Sequence, residues 1–550
     1  MSHRWARRAL AFAPVAVVCL LPLAGLWQAA GPPMEEGFML AFPERVLAGA
    51  VPNKDFLHLY GPGSLWVLAA VFWVFGASLA AERAVGYLQQ LGLVTGVFAL
   101  LAPWGGWVQA TGGCIAALII LPPAGLTALA WVGGVAFGLW ALWAAVVAVE
   151  DGPAHPRTAR HLRIAGLLAG AALLYRLDLV LALGLGLGVV LWKLDRGGRR
   201  RLITWSAIGV SPYLVHLVMA GPGNVIRGML IEPVFDLRGG RRLPLPPNLH
   251  DYDGFLQRAG TLDEPPWPLP HIPGPVQLVV WLGLLLAASL LLLIVGWRAM
   301  RDGRPRLLAM AAFATGLLTQ ALQRADSTHL SWVSCVTIAF LPAAIVELWP
   351  ARAAVTPRER ARPRAATATA VAVPLALLIG AIPFFTMRSY AEAVGQTFGY
   401  RRNAETMEYK GRTFRYARHD AVVAVNELLP LVDQLTKPGD RLFVGPGDLA
   451  KTPYSEAFLY HLLPDLVPAT RYIEMDPGVA NAQDSGLADD LRSADVVILS
   501  SIRDDWNEPN DSLKRGSEEP NKVLASDFCL VKSFGKGLYG RGLYEVYKRC

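Results

Sequence analysis

The feature that most limits what this chain can fold into is a series of long apolar runs. An apolar stretch of about 20 residues can cross the hydrocarbon core of a bilayer as a helix. Eleven candidate spans can be read: 9–29, 85–103, 107–122, 125–149, 164–175, 179–194, 202–220, 275–296, 307–322, 330–348 and 367–386. A twelfth run, 62–80, is bracketed by Gly61-Pro62-Gly63 and Gly76-Ala77-Ser78. Hydrophobic residues make up 53% of the 550 positions and charged residues only 17%, against roughly 25% charge in an average soluble domain. A soluble protein throughout, a collagen, a disordered chain and a disulfide scaffold are thereby excluded.

The net charge of +8 does not point to nucleic acid, because the basic residues collect between the runs. Five segments stand out: Arg4/Arg7/Arg8, Arg157/Arg160/Arg163, Lys193 to Arg201, Arg298 to Arg306 and Arg352 to Arg364. Basic loops stay cytoplasmic, so an even number of spans must separate neighbouring segments. That parity holds if one early run does not cross. The run 62–80 is expected to lie along the outer interface; the alternative false span is 107–122, which contains Gly112-Gly113. The chain then reads as a mostly α, polytopic membrane bundle of about eleven spans with a juxtamembrane helix in its first outer loop. The expected domains are 1–386, transmembrane, and 387–550, a soluble α/β domain outside, with the N-terminus cytoplasmic. Gln28-Ala29-Ala30 also resembles a cleavage site, a reading weakened by a run longer than a usual signal core.

In the C-terminal part, Ala421, Val422, Val425, Leu428, Leu429 and Val432 recur at helical spacing. Strands are expected at Arg441–Val444 and Val496–Leu499, and a helix near Ser485–Arg492. Gly445-Pro446-Gly447 reads either as a phosphate cradle or as an ordinary strand-to-helix turn. The five cysteines form no metal-ligand cluster; Cys529 and Cys550 share an external compartment in which either a disulfide or free thiols fit.

Three groups of residues carry chemistry. Glu35 and Glu36 sit at the outer edge of the first span, followed by Asp55. A partly desolvated carboxylate is a stronger base towards a hydroxyl proton; the bland alternative is a helix N-terminal pair. Arg176-Leu177-Asp178 and Arg324-Ala325-Asp326 each place an arginine at the outer end of a span, where few basic residues are expected, with His329 close behind. Residues two apart do not share a helix face, so the helices should end there. Arg238 to Arg242 lie in a Pro-rich outer loop, and Arg241 and Arg242 suit bidentate phosphate capture or a solvated turn. A carboxylate wall opposite arginines, open to lipid, suits a lipid-linked phosphate substrate.

Glu35-Glu36-Gly37, then Arg45-Val46-Leu47-Ala48-Gly49, Pro52, Asp55-Phe56 and Tyr60-Gly61-Pro62-Gly63 resemble the polytopic GT-C glycosyltransferases. These are the broad group of protein O-mannosyltransferases, aminoarabinose transferases and actinobacterial cell-wall transferases. Glu474-Met475-Asp476-Pro477 is similar to the outer tail of bacterial relatives and brings no assigned role. The resemblance implies a bacterial inner-membrane enzyme that transfers a sugar, with inversion, from a polyprenyl-phosphate donor to an extracytoplasmic hydroxyl of a glycan, lipid or protein. It aligns Glu35 with the catalytic acidic residue, with Glu36 its neighbour and Asp55 a secondary one. It makes Arg176, Arg324 and Arg241 or Arg242 holders of the lipid phosphate. The first acidic position is Glu where many relatives have Asp, which leaves Glu35 and Glu36 both open as the base. A divalent cation is compatible with such carboxylates, though no His/Cys cluster asks for one. The other classes are a flippase of lipid-linked sugars and a membrane scaffold for envelope assembly.

Overall fold

The computed structural model describes residues 2–246, 274–349, 364–400, 404–504, 510–537 and 540–550. Much of the Pro-rich loop and of the basic segment 352–364 lies outside the described residues.

The apolar runs are helices. In chain order they are α1 (Ser2–Leu20), α2 (Leu23–Gln28), α3 (Pro33–Leu47), α4 (Gly63–Phe75), α5 (Leu79–Leu100), α6 (Gly106–Ala124), α7 (Ala130–Asp151), α8 (Thr158–Tyr175), α9 (Val180–Lys193), α10 (Arg196–Val210) and α11 (Pro212–Ala220). Short helices α12 (Pro222–Ile226) and α13 (Leu237–Arg241) flank a π-helical stretch, and then come α14 (Gly274–Arg301), α15 (Arg306–Gln323), α16 (Ser327–Leu348), α17 (Arg364–Ala381) and α18 (Ser389–Thr397). Proline ends two of the runs early: Pro22 separates α1 from α2, and Pro212 opens α11 after α10. The run 125–149 starts as a helix only at Ala130, because Gly125 takes a positive φ of 56° and turns the chain there. Among the described residues, seven helices are long and apolar enough to cross a membrane. α5, α8, α9 and α15 fall outside that set; α9 has only 14 residues, and the others carry charged or amide side chains.

Two sets of contacts mark the two ends of the bundle. At one end Arg306, opening α15, grips Glu150 of α7 through two bonds of 2.8 and 2.6 Å and the carbonyl of Leu100, closing α5, at 3.0 Å. Glu347, near the end of α16, takes Trp104 at 2.7 Å. At the other end Gln320 of α15 reaches Asp178, just before α9. There Glu82, opening α5, accepts from the Ala128 N–H, just before α7, at 2.7 Å. Helices α5, α7, α9 and α16 therefore run in one direction and α15 in the other.

Helix α4 begins where Gly61 crosses the end of α8. The Gly61 N–H donates to the Tyr175 carbonyl at 3.1 Å, and a Cβ on Gly61 would stand 2.0 Å from the Leu174 oxygen. The Gly-Pro-Gly sequence is thus needed for close approach. The far end of α4 is bare, with Trp73 79% and Phe75 77% exposed. This suits a helix whose outer face meets lipid.

The chain stays helical past residue 386: α18 packs on α2 and α6. Sheet structure starts with a hairpin, β1 (Glu405–Tyr409) and β2 (Arg412–Tyr416), turned by Lys410 and Gly411 at φ 48° and 75°. After α19 (His419–Leu435) a five-stranded sheet follows, built from β3 (Arg441–Pro446), β4 (Val467–Pro468), β5 (Val496–Ser500), β6 (Phe528–Phe534) and β7 (Tyr544–Arg549). Its order is β4-β3-β5-β7-β6, parallel for β4, β3 and β5 and antiparallel beyond. The two expected strands and the expected helix, Leu487–Arg492, are present. Strands β6 and β7 were not foreseen: the interior of β6 is exposed on both faces, and β7 is buried at Tyr544, Glu545 and Val546 in succession, so neither shows an alternation to read.

The sheet domain and the bundle share a core. Phe38, Leu40 and Phe42 of α3 and Leu65 and Leu68 of α4 cluster with Phe414, Phe458 and Leu459. Gly37 lies so close to the helix α20 (Phe458–Leu462) that a Cβ would approach the Phe458 nitrogen to 2.7 Å. Glu44, further along α3, pairs with Arg412 at 3.0 Å and with His461.

Cys529 and Cys550 form a disulfide with a Cα separation of 5.2 Å, joining residues 21 apart. A loop of that size loses chain entropy equivalent to about 3 kcal/mol on cross-linking. Replacing both cysteines by serine is expected to cost the sheet domain about 2–4 kcal/mol, read as a lower midpoint in thermal unfolding. An unchanged midpoint, with or without reductant, would contradict the pairing.

Candidate functional site

Helix α3 follows α2 with Pro33 as its first residue, a position where the missing N–H costs nothing. Glu35 and Glu36 follow in its first turn. Adjacent helical residues point about 100° apart, so the two carboxylates meet different surroundings.

Glu36 is fully buried and faces α5. Arg83 binds it through two parallel bonds of 2.8 and 2.9 Å, and donates to the carbonyls of Trp27 at 2.6 Å and Leu26 at 3.4 Å. This group ties the ends of α2, α3 and α5 together, and Arg83 has 1% exposure. The sequence reading did not single out Arg83. The signal was present, since it is an arginine at the edge of an apolar run, like Arg176 and Arg324.

Glu35 keeps partial exposure, and the charges it faces are Arg241 and, from the sheet domain, Glu474 and Arg503. Burial pushes its carboxyl up to about 7. A nearby Glu474 adds to the rise, whereas its own backbone N–H, Arg241 and Arg503 pull against it. Arg241, at the end of α13, bonds Glu474 at 3.0 Å and also pairs with Asp476. Its carbonyl accepts from Arg324 Nη1 at 3.1 Å, and the Leu243 N–H donates to the Gln323 carbonyl at 3.3 Å. The loop after α13 is thereby stitched to the end of α15.

The two Arg-x-Asp tripeptides end their helices, as the spacing requires. Arg176 lies beyond the last residue of α8 with extended backbone, and binds Asp178 through bonds of 3.0 and 2.7 Å. Its guanidinium lies 4.0 Å from the Tyr60 ring centre and 5.3 Å from that of Trp131, a stacked arrangement favourable to a cation. Arg324 takes the same position after α15 and binds Asp326 at 3.2 Å. Asp326 caps α16 through the His329 N–H at 2.8 Å and also holds the His329 ring. That ring packs on Trp332 with centres 4.7 Å apart, and Trp332 stacks on Trp131 at 6.1 Å. A chain of contacts thus links Arg176, Trp131, Trp332, His329, Asp326, Arg324 and Arg241.

Two candidates stand apart. Asp55 is exposed and closes its own turn by accepting from the Val51 N–H at 2.7 Å. It takes no part in the described network around Glu35. Arg242, next to Arg241, is exposed to solvent. The Gly445-Pro446-Gly447 turn is not a phosphate cradle. The Gly447 N–H is spent on the Ser500 carbonyl at 2.8 Å, that of Leu449 on Asn521 at 3.0 Å and that of Ala450 on Asp448 at 3.2 Å. Among the described residues no group of three or more His, Cys, Asp or Glu side chains converges as a metal site.

No family model matches the sequence, and no curated protein matches it in sequence. Solved structures match the whole chain. ArnT from Cupriavidus metallidurans bound to undecaprenyl phosphate superposes with a TM-score of 0.51 at 14% identity, over 100% of this chain and 98% of that one. The apo form of the same protein gives a TM-score of 0.50 at 14% identity, covering 98% of both. At that identity the likeness speaks for the fold. On that likeness, over its whole length, the chain has the GT-C fold.

Proposed function

We propose that this protein transfers a sugar, with inversion, from a polyprenyl-phosphate donor to a hydroxyl on an extracytoplasmic glycan, lipid or protein. The observation that carries the reading is the placement of Glu35. A carboxyl poised near neutral pH stands beside Arg241, at the end of the bundle where Arg176 and Arg324 close their helices. That a protein of the same fold has been solved with undecaprenyl phosphate bound supports the choice of donor.

In this reading Glu35 takes the proton from the acceptor hydroxyl. The hydroxyl oxygen attacks the anomeric carbon from the face opposite the phosphate, the bond from that carbon to the phosphate oxygen breaks, and the configuration inverts. The proton ends on Glu35, and the departing lipid phosphate keeps the electron pair. Fixed guanidinium groups stabilise that charge. Arg324 and Arg176 serve here, exchanging part of their hold on Asp326 and Asp178 for phosphate oxygens. Glu36 is the weaker choice of base, since both its oxygens are engaged by Arg83. Asp55 is a turn-capping residue.

All eleven apolar runs cross the membrane in this account, with 387–550 as a domain outside the bacterial inner membrane and the N-terminus in the cytoplasm. A disulfide in the sheet domain supports that side, because such bonds persist in oxidising compartments. Profiling the lipids and envelope glycans of a deletion strain tests the reading. It predicts accumulation of one polyprenyl-phosphate sugar together with loss of that sugar from one envelope polymer, lipid or protein. An unchanged glycan profile would contradict it. Purified protein that moves labelled lipid across liposomes without forming a glycosidic product would favour a flippase.

A further inference from the structure

Glu474 and Asp476 lie in the loop after β4, in the sheet domain, yet their bonds are to the bundle. Arg241 sits between them, at 3.0 Å from Glu474 and paired with Asp476. Asp476 is fully buried and Glu474 is 6% exposed. The rest of the loop is fastened to the first outer loop. The Arg471 carbonyl accepts from the Leu57 N–H at 2.9 Å, and the Thr470 carbonyl accepts from Arg45 at 3.4 Å. Gly240 packs under Pro477, whose oxygen a Cβ there would meet at 3.1 Å. The charged groups facing Glu35 are Glu474 and Arg503 from the sheet domain and Arg241 from the bundle's outer loop. Arg503 is in turn 3.5 Å from Glu456.

We infer that the sheet domain completes the transfer site: Glu474 and Asp476 are positioning residues that hold the Arg241 guanidinium beside Glu35, and Glu474 sets the charge that Glu35 faces. This rests on Glu35 being the base. A lone arginine on an outer loop spreads over many rotamers, whereas one bonded to two buried carboxylates and carrying a carbonyl fixed by Arg324 has a single place. Glu474 sits on the same guanidinium that faces Glu35, so its negative charge offsets the pull of Arg241 on that carboxyl, while burial pushes the Asp476 carboxyl well up and favours its neutral form.

The test reads Glu35 directly. Dicyclohexylcarbodiimide reacts with protonated carboxyl groups in apolar surroundings, so its attachment to the Glu35 peptide, measured by mass spectrometry on the full chain in nanodiscs, titrates that group without any substrate. In the wild type, labelling should fall with pH through a midpoint near 7. Removing the negative neighbour in Glu474→Gln makes the charged form easier to reach, so the midpoint should move down by about one unit. Glu474→Asp should restore it. Arg241→Gln removes the opposing positive charge and should move the midpoint up, which keeps the test decisive if Glu474→Gln does not fold. Lys410→Ala, at an exposed pair with Asp433 and Asp465, should leave it in place. In the transfer assay the acid limb of kcat/KM should follow the same shifts. Midpoints that stay within about 0.2 unit of wild type in folded Glu474→Gln and Arg241→Gln would overturn the inference whatever the activity. Absence of any transfer, with the midpoints still moving, would overturn the proposed reaction and leave this coupling standing.

Discussion

Glu35→Gln is expected to lower kcat by about 10²–10⁴-fold, the range supplied by a positioned general base, while the protein still inserts into the membrane and elutes as the wild type does. Glutamine keeps the shape and much of the hydrogen bonding but cannot take a proton. KM for the donor should change little, because the substitution removes an interaction of the transition state rather than one of binding. The pH profile of the wild type checks the same point. A base works in its deprotonated form, and burial holds Glu35 near 7. So kcat/KM should rise with pH through about 7, not through the lower range of an ordinary solvated carboxylate. A flat profile between pH 5 and 8 in a fully active enzyme would contradict the assignment.

The second large effect is structural. Arg83→Met should leave Glu36 buried with no cation and the carbonyls of Leu26 and Trp27 without their donor. Breaking one side of a buried ion pair costs about 3–5 kcal/mol, a large share of the roughly 5–15 kcal/mol that keeps an ordinary protein folded. The expected result is a markedly lower thermal midpoint and a reduced yield of folded protein in detergent, judged by size-exclusion profile. Glu36→Gln combined with Arg83→Met should recover part of the loss, because the uncompensated charge is then gone. Wild-type stability in Arg83→Met alone would show that the pair does not hold α2, α3 and α5 together. The contrast with Glu35→Gln separates the adjacent carboxylates. One substitution should silence a folded protein, and the other residue's partner should be needed to fold it.

The helices were legible because each needs only a local signal. A run of apolar residues of membrane length announces itself, and proline or glycine at its edge announces where it stops. The Arg-x-Asp tripeptides were legible for the same reason: both partners lie within three residues, and the spacing forbids a continuing helix. Glu35 and Glu36 were found together but could not be told apart. Their difference depends on Arg83, 47 residues further on from Glu36, and on Glu474, in another domain. Arg241 was weighed as a phosphate ligand, yet its partners lie about two hundred and thirty residues away, beyond any pattern in the local sequence. Asp55 was attractive by position only. Its side chain is committed to the Val51 N–H, a bond that a one-dimensional motif does not show. The edge strand β6 was hidden because a strand exposed on both faces has no buried side to set a period.

The most direct measurement is transfer by the purified full chain in proteoliposomes supplied with a labelled polyprenyl-phosphate sugar and an envelope acceptor extract. The account predicts a glycosidic product with inverted anomeric configuration, release of polyprenyl phosphate in equal amount, and loss of both in Glu35→Gln. Full turnover by the double variant Glu35→Gln, Glu36→Gln would contradict it.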